Sequence, residues 1–141
     1  MKTLNILLYF ALILLLSCSS KKNSKTKVIT LVETSKSWNG TPLPKYLEGN
    51  PKVTILKITI PPKTRLETHK HSEINAGVLL KGELTVISEN NDTLYLKAGD
   101  PIVELVNTWH YGENNGTEPA EIIVFYAGVE GTPITIIKDE N

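Results

Sequence analysis

The sequence predicts an all-β fold, a small barrel or sandwich of short strands, and three observations support this prediction. Apolar and polar residues alternate with a period of two from Val28 onward, as in strands that are buried on one face. Turn-forming glycine, proline and asparagine residues interrupt the chain at short intervals. No stretch after residue 27 carries the apolar stripe of a sustained helix. Roughly nine short strands at this spacing favour a closed barrel, because closure removes exposed sheet edges.

The clearest strand covers Val53–Ile60, in which alternate residues from Leu56 to Ile60 share one apolar face. Pro61-Pro62 ends this strand, because proline lacks the backbone N–H that a ladder requires. The same alternation predicts further strands at Val28–Glu33, Gly77–Leu80, Leu84–Ser88, Thr93–Lys97, Ile102–Val106, Thr108–Glu113, Glu121–Ala127 and Ile134–Ile137. Turn signals separate several of them, at Asn90-Asn91-Asp92, Gly99-Asp100 and Asn115-Gly116.

The N-terminal residues indicate an export signal. Lys2 precedes an uninterrupted apolar stretch, Ile6–Leu16, which is shorter than the roughly twenty helical residues that cross a bilayer. The stretch ends in Leu15-Leu16-Ser17-Cys18, which resembles the bacterial lipobox, in which the cysteine is acylated and becomes the new N-terminus. An ordinary secretory signal followed by an unrelated cysteine is the alternative.

The chain therefore divides into three expected segments. We expect a lipoprotein signal peptide at residues 1–17, a flexible tether from the acylated Cys18 at residues 18–27, and one folded domain at residues 28–141. The tether is polar and rich in lysine, so it cannot bury apolar surface. More than one acyl chain anchors a protein stably, which predicts an exported protein held at a bacterial membrane, facing the periplasm or the cell surface.

Composition excludes some partners. Fifteen basic side chains balance fifteen acidic ones, so the chain has no net positive charge that would attract nucleic acid.

Cys18 is the one cysteine of the chain, so no intrachain disulfide can form.

Three histidines are candidate metal ligands. On a strand, His69 and His71 leave the same face because one residue separates them, and His110 lies on another predicted strand. Imidazole is the commonest protein ligand for divalent transition metals near neutral pH. An H-x-H pair is weak evidence by itself, but the interior of a barrel can bring such a pair together with a histidine from a distant strand.

The residues around the histidines have a recognisable spacing. One group consists of His69, His71, Asn75 and Gly82, and the other of Gly99, Leu105, Asn107, His110 and Asn114. These spacings resemble the two sequence motifs of the cupin superfamily, over most of residues 54–131. The resemblance implies a small double-stranded β-helix, a jelly-roll barrel of the cupin type, with the three histidines as metal ligands.

The chain departs from these motifs at three positions. Leu105 and Asn107 stand where the second motif has proline and glycine, and asparagine tolerates the left-handed backbone that glycine would adopt. Asn75 stands where most metal-binding cupins have glutamate, and its amide is a neutral, weaker ligand. Asn75 is thus a candidate weak or outer ligand. Glu73 is a candidate replacement carboxylate if its loop bends inward, and a solvated loop residue otherwise.

The resemblance implies a membrane-anchored cupin that binds a divalent transition metal, with Fe or Mn favoured and Zn, Ni or Cu as alternatives. It implies action on a small organic molecule, dioxygenase-like or isomerase-like. A non-catalytic cupin lipoprotein that binds a small ligand or metal is the alternative. Because no histidine remains outside the metal set, proton transfer would rely on Glu73, Glu104, a tyrosine or water. Cupin barrels often pair through edge strands, so the resemblance also implies a homodimer, with Val28–Glu33 as the candidate pairing strand.

Strand parity also predicts the orientation of the aromatic residues near the site. Trp109 and Tyr111 flank His110 and are expected to point away from the metal. Phe125 is expected in the core, with a place in the cavity wall as the alternative.

Overall fold

The computed structural model describes residues 25–139, and these residues form an all-β fold, as predicted. Cys18, the proposed signal peptide and most of the expected tether lie outside the described residues. The strands are β1 (Pro51–Ile60), β2 (Thr64–Arg65), β3 (His69–Lys70), β4 (Ile74–Lys81), β5 (Glu83–Ser88), β6 (Thr93–Lys97), β7 (Pro101–Val103), β8 (His110–Asn114), β9 (Ala120–Val129) and β10 (Ile136–Ile137). Within residues 25–139 there is no helix of the length and apolarity needed to cross a membrane.

The first sheet contains four strands in the order β1-β9-β4-β7, and each neighbouring pair is antiparallel. Strands β1 and β9 pair along their whole length, from Pro51 opposite Val129 to Ile60 opposite Ala120. Burial alternates along β1 and reaches its maximum at Ile60, just before the two prolines. The predicted apolar face of this strand and its end are therefore confirmed.

The second sheet has the order β10-β3-β8-β5-β6, and β2 also pairs with β8. The hairpin between β5 and β6 turns at the predicted position, where Asn91 has a φ of 65°. The first motif glycine, Gly82, lies between β4 and β5 with a φ of +74°. A Cβ atom there would lie 2.8 Å from the carbonyl oxygen of Pro119, so the turn requires glycine on both counts.

The hydrophobic core lies between the two sheets. Both contribute to one buried cluster, which contains Ile60, Leu79, Leu84, Val86, Leu96, Ile102, Ala120, Ile122, Val124 and Tyr126. Inward and outward residues alternate along β5, β8 and β9, the pattern expected of strands that are covered on one face. This arrangement turns the inner faces of β3 and β8 toward one interior space.

Two sequence expectations about strands were wrong. Val28–Glu33 is not a strand, and its side chains are exposed. Leu31 and Val32 instead line a groove with Ile123 and Phe125 on the outer face of the first sheet, which accounts for the apolar pattern without ladder pairing. The strand predicted at Ile102–Val106 ends at Val103, and Val106 instead forms an isolated bridge with His71.

Candidate metal centre

The three histidines of the folded part converge inside the barrel. His69 on β3 lies directly opposite His110 on β8, and His71 follows β3 in a bridge to Val106. The centroids of the three imidazole rings are 4.7 to 5.1 Å apart. One nitrogen from each ring lies within 4.8 Å of the other two, so these atoms can hold a metal ion.

A turn that contains Asn107 positions His110 relative to the other two rings. Asn107 has a φ of 55°, the left-handed geometry that the sequence predicted for this position. Its backbone N–H donates to the carbonyl oxygen of His71 at 2.7 Å. The loop before β8 is thereby fixed to the strand that carries His69 and His71.

Backbone carbonyls orient all three imidazoles in the same way. The Nδ1 atoms of His69, His71 and His110 lie 2.7, 2.8 and 2.9 Å from the carbonyl oxygens of Glu67, Ile134 and Thr108. A carbonyl oxygen only accepts hydrogen bonds, so each Nδ1 carries the proton. The Nε2 atom of each neutral ring therefore has a free lone pair, the state in which imidazole binds metals.

Burial keeps these imidazoles neutral. Desolvation lowers the pKa of His71 to about 4, helped by repulsion from His110 and His69, and against a carbonyl hydrogen bond that favours the charged form. Desolvation also lowers the pKa values of His69 and His110 below the usual range. Protons therefore do not compete with a metal for these nitrogens near neutral pH.

A buried carboxyl group lies beside the histidines. Oε2 of Glu104 is 3.6 Å from Nε2 of His110, and neither atom has a hydrogen-bond partner in residues 25–139. Burial raises the pKa of Glu104 to about 7, although the proximity of His69 lowers it in part. Because the imidazole is neutral, this contact is not an ion pair.

The cavity beside these groups is small and mainly apolar. Its volume is about 130 Å³, and the histidines, Glu104, Tyr126 and Thr135 form the polar part of its wall. Aliphatic side chains form most of the remainder, namely Leu56, Ile58, Ile60, Leu66, Leu84, Val86, Ile122 and Val124. An engineered apolar cavity of about 150 Å³ binds benzene, so this space suits a molecule of only a few heavy atoms.

The two other candidate ligands are buried but do not line this cavity. Asn75 is 1% exposed, its Nδ2 donates to the carbonyl oxygen of Glu73, and its Oδ1 has no partner in the described chain. The carboxylate of Glu73 occupies the space that a side chain on Gly128 would fill. A ligand role for either residue stays a prediction.

Tyr126 is a cavity residue that the sequence analysis missed. Its ring centroid lies 5.5 Å from that of His71, and burial raises its pKa to about 12. Phe125, by contrast, is 43% exposed on the opposite face of β9, so both expectations for it were wrong. The parity of Ile122 and Val124, two inward neighbours on β9, is the signal that identifies Tyr126 as inward-facing.

The aromatic residues beside His110 point outward, as predicted. Tyr111 lies under the guanidinium group of Arg65, 3.7 Å from its ring centroid, and Trp109 lies under the ammonium group of Lys70 at 4.7 Å. Alternating burial along β8 separates these rings from the cavity. They therefore take no part in the candidate metal centre.

Comparison with known proteins identifies the domain type. The family model described as Cupin_2, a cupin domain, matches residues 56–126. No curated protein matches the chain. Among solved structures, a conserved protein with a double-stranded β-helix domain from Klebsiella pneumoniae is 19% identical, with a TM-score of 0.53. The match covers 82% of this chain and 100% of that one, and it supports the predicted jelly-roll fold.

Two solved enzymes share the fold over part of their length. A recombinant oxalate oxidase in complex with glycolate is 22% identical, with a TM-score of 0.52, over 60% of this chain and 45% of that chain. A DMSP lyase from Ruegeria pomeroyi is 17% identical, with a TM-score of 0.55, over 70% of this chain and 47% of that chain. The chain thus spans a little under half the length of these two enzymes. At these identities the likeness concerns the fold alone.

Proposed function

This chain belongs to the Cupin_2 family, and from that premise we propose that it binds a divalent transition metal and acts there on a small organic molecule. The observation that carries the proposal is the convergence of His69, His71 and His110, whose Nδ1 atoms are all bound to carbonyl oxygens. Three neutral nitrogen donors with free lone pairs on one interior space fit a transition metal.

The buried polar atoms at this position support the same proposal. Nε2 of His110 is fully buried without a hydrogen-bond partner in the described residues, a costly state for a polar atom. Fe or Mn is favoured, with Zn, Ni or Cu as alternatives, since imidazole suits most of this series. When bound, such an ion would supply Lewis-acid polarisation, and Fe or Mn would also supply redox chemistry.

The side chains around the metal centre have separate tasks. The aliphatic wall packs against the apolar part of the bound molecule and excludes water from it. Glu104 places a buried carboxyl group beside that molecule. Glu104 is the one carboxyl group among the cavity-lining residues described. The volume of about 130 Å³ suits a small substrate.

Metal titration with matched variants tests the metal site. We expect the purified chain to bind about one Mn²⁺ or Ni²⁺ ion in isothermal titration calorimetry, and His110→Ala to abolish this binding. Asn115→Ala, an exposed substitution nearby, serves as the control and should bind as the wild type does. A wild-type chain that binds neither ion, and contains no transition metal by elemental analysis, would refute the proposal.

Turnover distinguishes the enzyme from the non-catalytic alternative. Iron-loaded protein, prepared without oxygen, should consume oxygen or transform a small substrate when screened with glycolate, oxalate, thiols and diketones. The His110→Ala variant should be inactive under the same conditions. A compound that raises the melting temperature and is recovered unchanged would instead favour a binding protein.

We also propose that the chain is exported and anchored to a bacterial membrane through acylated Cys18. The support is the sequence from Lys2 to Cys18, with its short apolar stretch and terminal cysteine. In a bacterial expression host, the wild type should fractionate with membranes and require detergent for release. Cys18→Ala should carry no acyl label. It should be found either as soluble protein or as the uncleaved precursor. Acyl labelling of this variant would exclude Cys18 as the lipid attachment site.

A further inference from the structure

Two buried polar atoms face each other in the cavity, and neither has a hydrogen-bond partner among the described residues. Nε2 of His110 presents a lone pair, because its Nδ1 donates to the carbonyl oxygen of Thr108. Oε2 of Glu104 lies 3.6 Å away, and it too lacks a partner in the part of the chain that the structure describes. When Glu104 is ionised, these two acceptors repel each other unless a positive charge lies between them.

The separation of these atoms suits two ligands of one ion. Protein nitrogen and oxygen ligands lie about 2.1 Å from a divalent metal, so two ligands at angles of about 90° to 110° are roughly 3.0 to 3.5 Å apart. The observed 3.6 Å is close to this range. Among the described residues, the group whose ligand atoms all lie within 4.8 Å of one another contains the three histidines without Glu104, so this carboxylate would have to move closer to the other two imidazoles when a metal binds.

The backbone explains how a carboxylate reaches this place. The N–H of Glu104 donates to the carbonyl oxygen of Asn75 at 3.1 Å, so the two residues are neighbours on adjacent segments. Both are buried, but Glu104 lines the cavity and Asn75 does not. The buried anionic group next to the histidines therefore comes from the segment after β7 and not from β4.

We infer that Glu104 is a fourth, anionic ligand of the metal held by His69, His71 and His110. The inference rests on the proposed function, since it presupposes a metal at the three imidazoles. Its chemical consequence is a three-nitrogen, one-oxygen site whose net charge is one unit lower than that of three imidazoles alone. Carboxylate ligands suit Mn²⁺, whereas imidazole suits Ni²⁺, so Glu104 should contribute more to the affinity for Mn²⁺.

Calorimetric titration of the Glu104→Gln variant with Mn²⁺ and Ni²⁺ tests this inference. Removal of even an outer partner of a metal ligand weakens binding by about 10- to 100-fold. We expect a loss of about 100-fold or more for Mn²⁺ and of about tenfold or less for Ni²⁺. Glu89→Gln removes an exposed carboxylate and should leave both affinities unchanged. Circular dichroism of the metal-free variant checks that Glu104→Gln retains the fold.

The outcomes separate this inference from the proposed function. A wild type that binds both ions, with Glu104→Gln binding both equally well, would refute the inference and leave the proposed function intact. An equal loss for both ions, or a wild type that binds Ni²⁺ alone, would also refute it. If Glu73→Gln shows the selective loss of Mn²⁺ affinity and Glu104→Gln does not, Glu73 is the ligand instead. A wild type that binds neither ion, and contains no transition metal by elemental analysis, would refute the proposed function itself.

Discussion

The backbone N–H of Asn107 donates to the carbonyl oxygen of His71, and this hydrogen bond of 2.7 Å joins the two histidine-bearing segments. Asn107 itself adopts a φ of 55°, in the left-handed region, shortly before β8 begins at His110. The geometry of the site thus depends on a backbone conformation that few residues adopt without strain.

Substitution of Asn107 should affect stability through its backbone and not through its side chain. The side chain is exposed, so its loss removes little packing. A left-handed conformation costs an ordinary L-residue about 1 to 2 kcal/mol. We expect Asn107→Val to lower the free energy of unfolding by this amount in urea denaturation, and Asn107→Gly to be nearly neutral.

An exposed asparagine without a positive φ provides the control for this prediction. Asn115→Val should change the free energy of unfolding by less than Asn107→Val does. If Asn107→Gly is as destabilising as Asn107→Val, side-chain contacts and not the backbone conformation determine the contribution of this residue.

The part of the fold that was predictable follows from strand parity and turn chemistry. Alternation placed Leu56 and Ile60 on the inner face, and it also turned Trp109 away from His110. The left-handed backbone at Asn107 was predictable because this residue stands at a motif glycine and asparagine tolerates the left-handed region. These features depend on residues that are close along the chain, so they can be inferred from a single sequence.

The remaining features depend on contacts between distant segments. The proximity of Glu104 to His110 could not be inferred from sequence, because it depends on the register of β4 with β7 and on where the loop after β7 turns. Val28–Glu33 has the alternation of a strand, but alternation cannot distinguish a ladder partner from an extended segment beside a sheet face. Sequence therefore predicted the histidines of the candidate site better than the carboxyl group beside them.

Glu104 should lower the stability of the metal-free protein at alkaline pH. Its pKa is about 7 in the folded state, against an ordinary value of 4.5, so the folded state holds a proton that the unfolded state releases. The resulting decrease in the free energy of unfolding is absent below pH 4.5, grows between pH 4.5 and 7, and is fully present above pH 7. It amounts to roughly 3 kcal/mol, at about 1.4 kcal/mol for each pKa unit.

Glu104→Gln removes this titration while keeping the shape of the side chain. In the presence of a chelator, the variant should therefore have a higher free energy of unfolding than the wild type at pH 8, and the difference should shrink toward pH 4.5. The measurement is urea denaturation across this pH range. A difference that does not change with pH would show that the Glu104 carboxyl has an ordinary pKa.

His71 should destabilise the metal-free protein at acidic pH. Its pKa falls from 6.5 to about 4 on folding, so the unfolded state binds a proton that the folded state excludes. This group therefore leaves the free energy of unfolding unchanged above pH 6.5, and it lowers that free energy progressively as the pH falls toward 4. In His71→Asn, the side-chain amide can still donate to the carbonyl oxygen of Ile134, but it does not titrate.

The difference in unfolding free energy between this variant and the wild type isolates the imidazole, because other titrating groups are common to both proteins. The measurement is urea denaturation with chelator present. As the pH falls from 6.5 to 4.5, the free energy of unfolding of His71→Asn should increase relative to that of the wild type. A constant difference over this range would contradict a lowered pKa for His71.

The side chain of Asn114 should be essential to the fold although it lies away from the histidine nitrogens. It is fully buried at the end of β8, and its Nδ2 lies within 2.8 to 3.2 Å of the carbonyl oxygens of Ile60, Pro61 and Glu118. Its Oδ1 accepts the N–H of Gly116 at 2.9 Å. Asn114→Ala removes the partner of one buried carbonyl and of three partly buried backbone groups. A fully buried unsatisfied group costs about 1 to 3 kcal/mol, so we expect a loss of about 3 kcal/mol in urea denaturation.

Asn114→Asp should be no better than Asn114→Ala, although it preserves the shape of the side chain. A carboxylate only accepts hydrogen bonds, so it would face the carbonyl oxygens of Ile60, Pro61 and Glu118 without a donor. Asn115→Ala, at the exposed neighbouring position, should lose less than about 0.5 kcal/mol. If Asn114→Asp were as stable as the wild type at pH 8, the amide donor would be dispensable, and shape alone would explain the presence of asparagine at the end of β8.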